Sequence, residues 1–381
     1  MDRNVNTLII GAGPAGISCA LRLQSAGVPV LVVEKRAFPR EKLCGGLMPA
    51  KTYDMLVGAL GIGPDELGGV IREVCGTVEL YHGTQRLTRS VTSDPMRLVR
   101  RKEFDAFLAS RFRAAGGELI ENATCDKIDA AEGSATLSDG TTVSFKNLIA
   151  ADGALSPTRA ALGLRAPGMA FCAETFVAAP GDWDRTVCVY FGVVKKGYAW
   201  VFPSGDALCV GIGGTADKKI RYDEILADFI GSVGLERGDG AIRGAFLPNG
   251  SPVPQKNNPR GVMLVGDAGG LVDPVYGEGI FFALTSGTAA ADAVIAERDG
   301  KGDAKSEYLL NIGPILRLIR QGERARDFLF SDGGMSVFSR KLRGRNGFAG
   351  FYCDNMISYY NYSYSELLKI KSDYKKSKNG K

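Results

Sequence analysis

Histidine is almost missing from this sequence: one residue, His82, in 381. That count excludes every multi-histidine metal site. It leaves a Ser-His-Asp or Cys-His catalyst only if His82 is the base. Cysteine is present but unpatterned. Eight residues lie at 19, 44, 75, 125, 172, 188, 209 and 353, with no C-x-x-C and no zinc-ribbon spacing, so reduced thiols are expected and no metal site. No continuous apolar run approaches the ~18 residues of a membrane span. Glycine is abundant, at 50 of 381 residues, yet there is no collagen period and no Gly/Ser tract. The excess is therefore expected in tight turns and close backbone approaches. Signatures of nucleic-acid folds are absent too, and the net charge of +5 is modest, so no nucleic-acid partner is expected.

What is present suits a globular chain. Hydrophobic residues are 45% and charged residues 23%, and the length fits two domains better than one. Charge is uneven. Residues 301–381 hold 16 Lys and Arg against 8 Asp and Glu, while the first 300 residues are slightly acidic. The apolar N-terminus carries Asp2 and a glycine motif that signal cleavage would destroy. A cytoplasmic protein is expected rather than a secreted one.

Thr7–Ile10 is a short apolar run ending in Gly11-Ala-Gly13-Pro-Ala-Gly16. An apolar helical stretch follows to Ala26, Gly27 stops it, and Val28–Val33 is a second buried strand closed by Glu34. This β-α-β unit binds nucleotides for physical reasons. Gly11 allows the tight turn, Gly13 lets backbone approach a pyrophosphate, and Gly16 lets helix pack on strand. The helix N-terminus favours negative charge, and Glu34 stands where a carboxylate accepts ribose hydroxyls.

Further along, residues 51–60 read as a helix. A hairpin is predicted around His82-Gly83, and Lys102–Ala115 is an amphipathic helix with Phe104, Phe107, Leu108 and Phe112 on one face. Residues 170–215 alternate like antiparallel strands, and 221–233 read as a helix. Two strand-end turns follow: Asp152-Gly153, and Gly266-Asp267-Ala-Gly-Gly270 with Asp273-Pro-Val-Tyr-Gly277-Glu278-Gly279-Ile280 leading into a helix. Tyr198, Trp200 and Phe202 fall on one face of a strand, which gives either an aromatic core or a wall for a flat, oily substrate.

The glycine motif, the Asp152-Gly153 turn and the Gly266-Asp267 turn together resemble the FAD-binding set of the para-hydroxybenzoate hydroxylase superfamily. Cys44-Gly45-Gly46, the Y-x-W-x-F-P run from Tyr198 to Pro203 and G-D-A-G-G-x-x-D-P-x-x-G-E-G-I are similar to the geranylgeranyl reductase family. The resemblance spans about residues 5–300. It implies an α/β fold: a Rossmann-like FAD-binding domain, an inserted antiparallel β-sheet substrate domain and a helical C-terminal extension. The expected boundaries are 1–73, 98–165 and 255–300 for the FAD domain, 74–97 and 166–254 for the substrate domain, and 301–381 for the basic C-terminal segment.

The resemblance also implies a site. FAD would be held by Gly11, Gly13, Ala15, Gly16, Glu34 and Lys35, by Cys44, Gly45 and Arg101, by Asp152 and Gly153, and by Gly266, Asp267, Gly277, Gly279 and Ile280. Asp267 is the expected ribityl ligand. Cys44 is also a catalytic candidate near the flavin, and Tyr198, Trp200 and Phe202 would line the substrate. The implied activity is reduction of carbon–carbon double bonds in a hydrophobic, polyprenyl-type substrate, with hydride from reduced flavin. Electrons would come from NAD(P)H or a reduced carrier protein. The alternative on the same fold is a flavin monooxygenase or halogenase. A lipid or other hydrophobic small molecule is the expected partner. The basic C-terminus, with its apolar run Ile312–Ile319, is expected to touch a membrane peripherally.

Overall fold

The computed structural model describes residues 2–181, 183–344, 347–358 and 364–379. The chain opens on β1 (Asp2–Ile10), α1 (Pro14–Ser25) and β2 (Val30–Glu34). β1 and β2 pair in parallel, from Thr7 opposite Val30 to Ile10 opposite Val33. Parallel neighbours need a crossover, and α1 provides it with Ile17, Ala20 and Leu23 buried. Pro14 occupies the first turn, where its missing N–H costs nothing. Gly27, at φ +68°, takes the left-handed turn beyond the helix.

β3 (Leu47–Met48), α2 (Ala50–Gly58) and α3 (Pro64–Gly68) lead to a hairpin of β4 (Ile71–His82) and β5 (Gln85–Val99). It turns at Gly83, and His82 is exposed there. The hairpin is longer than its alternation suggests, because Asp94-Pro95 argues against a strand. A bulge accommodates these residues: pairing jumps from Thr77–Val91 to Cys75–Met96. β3 joins the same sheet by pairing with β5. α4 (Arg101–Ala114) then buries Phe104, Leu108 and Phe112, with Phe107 half-buried at the margin.

Next come β6 (Glu118–Glu121), β7 (Cys125–Asp129), β8 (Ser134–Leu137), β9 (Thr142–Ala150) and α5 (Pro157–Ala161). The insertion that follows holds β10 (Met169–Ala178), β11 (Thr186–Phe191), β12 (Tyr198–Ser204), β13 (Ala207–Thr215), α6 (Tyr222–Ser232) and β14 (Arg243–Pro248). The chain returns through β15 (Val262–Leu264) to α7 (Ile280–Arg298). It ends in α8 (Ala304–Asn311), α9 (Gly313–Leu329), α10 (Asp332–Arg343), α11 (Phe348–Tyr352) and α12 (Ser365–Asn379).

Among the described residues these strands form two sheets. One has the order β6-β2-β1-β9-β8-β7, with β15 beside β9. The other runs β14-β10-β13-β12-β11-β4-β5-β3 and is antiparallel except where β11 lies parallel to β4. The first sheet is thus assembled from three stretches of chain, and the second from the segments between them.

Two sequence expectations change. α7 has the length and mean hydropathy, 1.3, to cross a membrane, contrary to the reading that no run comes near a span. Counting uninterrupted apolar residues missed it, because Thr285-Ser286-Gly287-Thr288 breaks the run. In this fold α7 is a core helix packed on α1: a Cβ at Gly287 would stand 2.2 Å from the Ala15 carbonyl oxygen. The apolar stripe Ile312, Ile315 and Ile319 is likewise spent inside, in the same core cluster as Ile17 and Leu284.

Candidate functional site

A cavity of about 1000 Å³ runs from the end of β1 to the aromatic face of β12. At its first end the chain has removed side chains where backbone must come close. Gly11, at φ +104°, would drive a Cβ to 2.4 Å from the Ala151 carbonyl oxygen. Gly16 would place one 1.9 Å from the Gly11 carbonyl oxygen. Gly13 differs: its Cβ would meet only Arg40 Nη2, at 3.9 Å, and otherwise project into open space. No side chain caps the N-terminus of α1. First-turn N–H groups without intrahelical partners therefore border the cavity at Gly13 and Ala15. An uncapped helix start with a bare glycine is a cradle for a phosphate.

Glu34 ends β2 beside this loop, with its Oε1 accepting the Arg36 N–H at 3.3 Å. Its Oε2 accepts the Ala12 N–H at 3.0 Å and pairs with Arg40 at 3.2 Å. Arg40 also pairs with Asp105 at 2.9 Å. Arg101 binds the same Asp105 with two nitrogens, at 2.7 and 2.9 Å. Arg40 and Asp105 were not singled out from sequence. The available signal was an acid on the buried face of an amphipathic helix, beside Phe104, Leu108 and Phe112, since a buried charge demands a partner. Lys35 is exposed at the cavity rim.

The remaining predicted cofactor residues converge on the same cavity. Asp152 and Gly153 follow the end of β9, and the Asp152 carboxylate accepts the Thr158 N–H at 2.8 Å. Gly266 sits at φ +52°, its Cβ position 3.1 Å from Ala15 Cβ, so the strand end presses on α1 but does not itself line the cavity. Asp267 follows and lines it, as do Gly277, Gly279 and Ile280 at the start of α7. The Asp267 and Arg101 charges act on each other.

At the second end the loop 42–46 lies across β12. A Cβ at Gly45 would stand 3.0 Å from the Phe202 ring and 3.1 Å from Trp200 Nε1. One at Gly46 would stand 2.0 Å from the Val99 carbonyl oxygen. Tyr198, Trp200 and Phe202 form a row, with ring centroids 6.0 and 6.2 Å apart. They are at once cavity wall and core, and a Cβ at Gly211 would stand 2.2 Å from the Trp200 ring. The C-terminal helices close this end with Arg326, Phe330, Met356 and Ile357. Tyrosines fasten them: Tyr352 and Tyr276 share a hydroxyl hydrogen bond, and Tyr364 donates to Asp273.

Cys44 is half-buried and lines the cavity. Its N–H donates to Glu174 of β10 at 3.0 Å, and its sulfur accepts the Gly46 N–H at 3.4 Å. Burial pushes the thiol up, with Arg101 partly opposing, which favours its protonated form. Two carboxyls here were also missed from sequence, because only the fold buries them. Burial pushes Glu174 up to about 7, opposed by its bond from Cys44. Glu278 is pushed up to about 7, again chiefly by burial.

A protein-family model described as an FAD binding domain matches residues 4–184. A menaquinone reductase of Mycobacterium tuberculosis is 30% identical over 342 residues, covering 79% of this chain and 82% of that one. A digeranylgeranylglycerophospholipid reductase of Methanocaldococcus jannaschii is 28% identical over 80% of this chain and 81% of its own. The chain belongs to the geranylgeranyl reductase family. It is an FAD-dependent oxidoreductase of that family. The solved structure of a geranylgeranyl bacteriochlorophyll reductase-like protein from Thermoplasma acidophilum has the same fold, with TM-score 0.81 and 21% identity over 97% of this chain and all of that one. For a geranylgeranyl reductase-type fold, the uncapped α1 and bare Gly13 fit the cofactor's diphosphate, and the carboxylates along the cavity fit its hydroxylated parts.

Proposed function

We propose that this protein reduces carbon–carbon double bonds of a polyprenyl-type lipid. The observation that carries this reading is the continuity of one cavity from a phosphate cradle to a row of three aromatic side chains. Bound FAD, once reduced, supplies a hydride equivalent. The residues that would hold it are Gly11, Gly13, Ala15 and Gly16 at the diphosphate, Glu34 and Lys35 at the adenosine side, and Asp267 at the ribityl chain. Cys44, Gly45, Arg101, Asp152, Gly153, Gly277, Gly279 and Ile280 complete its surroundings, with Gly266 shaping the wall behind. Tyr198, Trp200 and Phe202 would hold an isoprene chain and exclude water from it. Phe330, Met356 and Ile357 extend that apolar wall. Cys44, a neutral thiol, presents no competing negative charge at the reacting end. The names of the family's characterised members, reductases of menaquinone and of an isoprenoid phospholipid, support the substrate class. The electron donor is proposed to be NAD(P)H or a reduced carrier protein acting transiently.

The test is product analysis. Purified protein with FAD, an artificial electron donor and an isoprenoid alcohol should yield products heavier by pairs of hydrogens without air. Products heavier by oxygen, formed only in air, would overturn the reading in favour of a monooxygenase.

A further inference from the structure

Glu278 stands directly before the first turn of α7. It lines the cavity and is 9% exposed. Its Oε1 accepts the Phe281 N–H at 2.8 Å, which folds the side chain back over the helix start and away from bulk solvent. The charged and titratable groups that act with it come from every side: Asp273 in the preceding turn, Arg101 of α4, Tyr198 of β12 and Cys44 of the loop 42–46. On either side of it, a Cβ at Gly277 would stand 3.7 Å from the Tyr198 hydroxyl and one at Gly279 3.5 Å from Asp267 Oδ1, so Glu278 sits between the aromatic and the cofactor halves of the cavity.

Saturating a double bond takes a hydride on one carbon and a proton on the other. The other groups in this wall are poorly suited to give that proton. Tyr198 already donates its hydroxyl hydrogen to the Tyr276 carbonyl, and burial holds its acidity far down. Cys172 is pushed up to about 12 by burial, and the Cys44 thiol is pushed up as well. Asp273 has both oxygens engaged, one by the Val275 and Tyr276 N–H groups and the other by the Tyr364 hydroxyl. Glu278, at about 7, holds a proton near neutrality and releases it readily, the match a general acid needs.

We propose that Glu278 is the catalytic acid that protonates the substrate's second olefinic carbon. This rests on the alkene-reductase reading above. In the balanced step, hydride from the reduced flavin forms one C–H bond. The electron pair of the double bond takes the carboxyl proton and forms the other. The flavin is oxidised by two electrons, the alkene is reduced by two, and the Glu278 carboxylate regains its proton from solvent.

The experiment uses full-length, FAD-loaded protein, chemically reduced without air and mixed with geranylgeraniol for a single turnover between about pH 5 and 9. Glu278→Gln keeps an oxygen for the Phe281 N–H, and Glu278→Asp keeps an acid of shorter reach. Both should carry FAD at wild-type stoichiometry. The Gln variant should reoxidise about 10²- to 10⁴-fold more slowly at pH 6 and lose the fall in rate that the wild type shows above about pH 7. The Asp variant should keep part of the rate. Independently of turnover, infrared spectra of the oxidised wild type should show protonated-carboxyl absorption that fades near pH 7 and belongs to Glu174 and Glu278; Glu278→Gln should lose the Glu278 share, which a Glu174→Gln variant keeps. A Gln variant with the wild-type rate and pH profile would overturn the proposal and leave the reductase reading intact. A wild type that no isoprenoid alkene reoxidises would overturn that reading, and this proposal with it.

Discussion

At Gly16 a Cβ would stand 1.9 Å from the Gly11 carbonyl oxygen, whereas at Gly13 it would meet only the far end of Arg40, at 3.9 Å. The two substitutions should therefore fail differently. Gly13→Val should fold, because its side chain enters the cavity, and should purify with little FAD. Gly16→Val should lose the fold, because backbone blocks it. Flavin absorbance per protein, set beside thermal melting of the apoprotein, checks this; Gly13→Val with full flavin would sink the phosphate cradle. Asp267→Ala should weaken FAD roughly 10- to 150-fold if it removes one charge-assisted hydrogen bond. Glu174 gives a prediction with a sign. Its folded pKa, about 7, is raised from an ordinary 4.5, so folding binds its proton more tightly. The stability it contributes is full below about pH 4.5 and is lost as pH rises through about 7. Glu174→Gln keeps an acceptor for the Cys44 N–H and cannot ionise. Relative to the wild type it should gain stability steadily from pH 5 to pH 8, by up to about 3 kcal/mol. Denaturant midpoints that run parallel for the two proteins across that range would contradict it.

Among the elements, β12 and the loop 42–46 form one unit, because Gly45 fits only against the rings of Trp200 and Phe202. Trp200→Ala should cost about 3–5 kcal/mol through the cavity it opens. It should retain bound FAD in the folded fraction and turn over isoprenoid poorly; urea midpoint, flavin content and rate report the three effects separately. Elements built from local signals were readable in advance. β1-α1-β2 follows from apolar runs, Gly11, Gly13, Gly16 and Gly27, and the β4-β5 turn from Gly83. Contacts between distant residues were not. Glu174 reaches Cys44 across 130 positions, and nothing around either residue announces the other. Arg40 and Asp105 meet across 65. The stripe at Ile312, Ile315 and Ile319 was legible as a helix face but not as a destination. A membrane and a core ask for the same spacing, and only burial in the main core decides between them.

For the whole molecule, the C-terminal helices are part of the main core and not an appendage. Removing residues beyond about 300 would uncover that core and open the substrate end of the cavity. The truncated protein should be insoluble or should bind a hydrophobic dye strongly, whereas a soluble, FAD-bound product of wild-type stability would refute this. With Ile312, Ile315 and Ile319 buried, that stripe is not free to enter a lipid surface, and charge is left as the attraction to one. We propose weak adsorption to anionic vesicles that high salt reverses, read by co-sedimentation. The central claim is that electrons leave this cavity for a carbon–carbon double bond and not for oxygen. The most direct measurement is the return of oxidised-flavin absorbance when the anaerobically reduced protein meets an isoprenoid alkene. The account predicts reoxidation without air, with one double bond saturated per flavin. A protein that stays reduced until oxygen is admitted, and then oxygenates the compound, would contradict it.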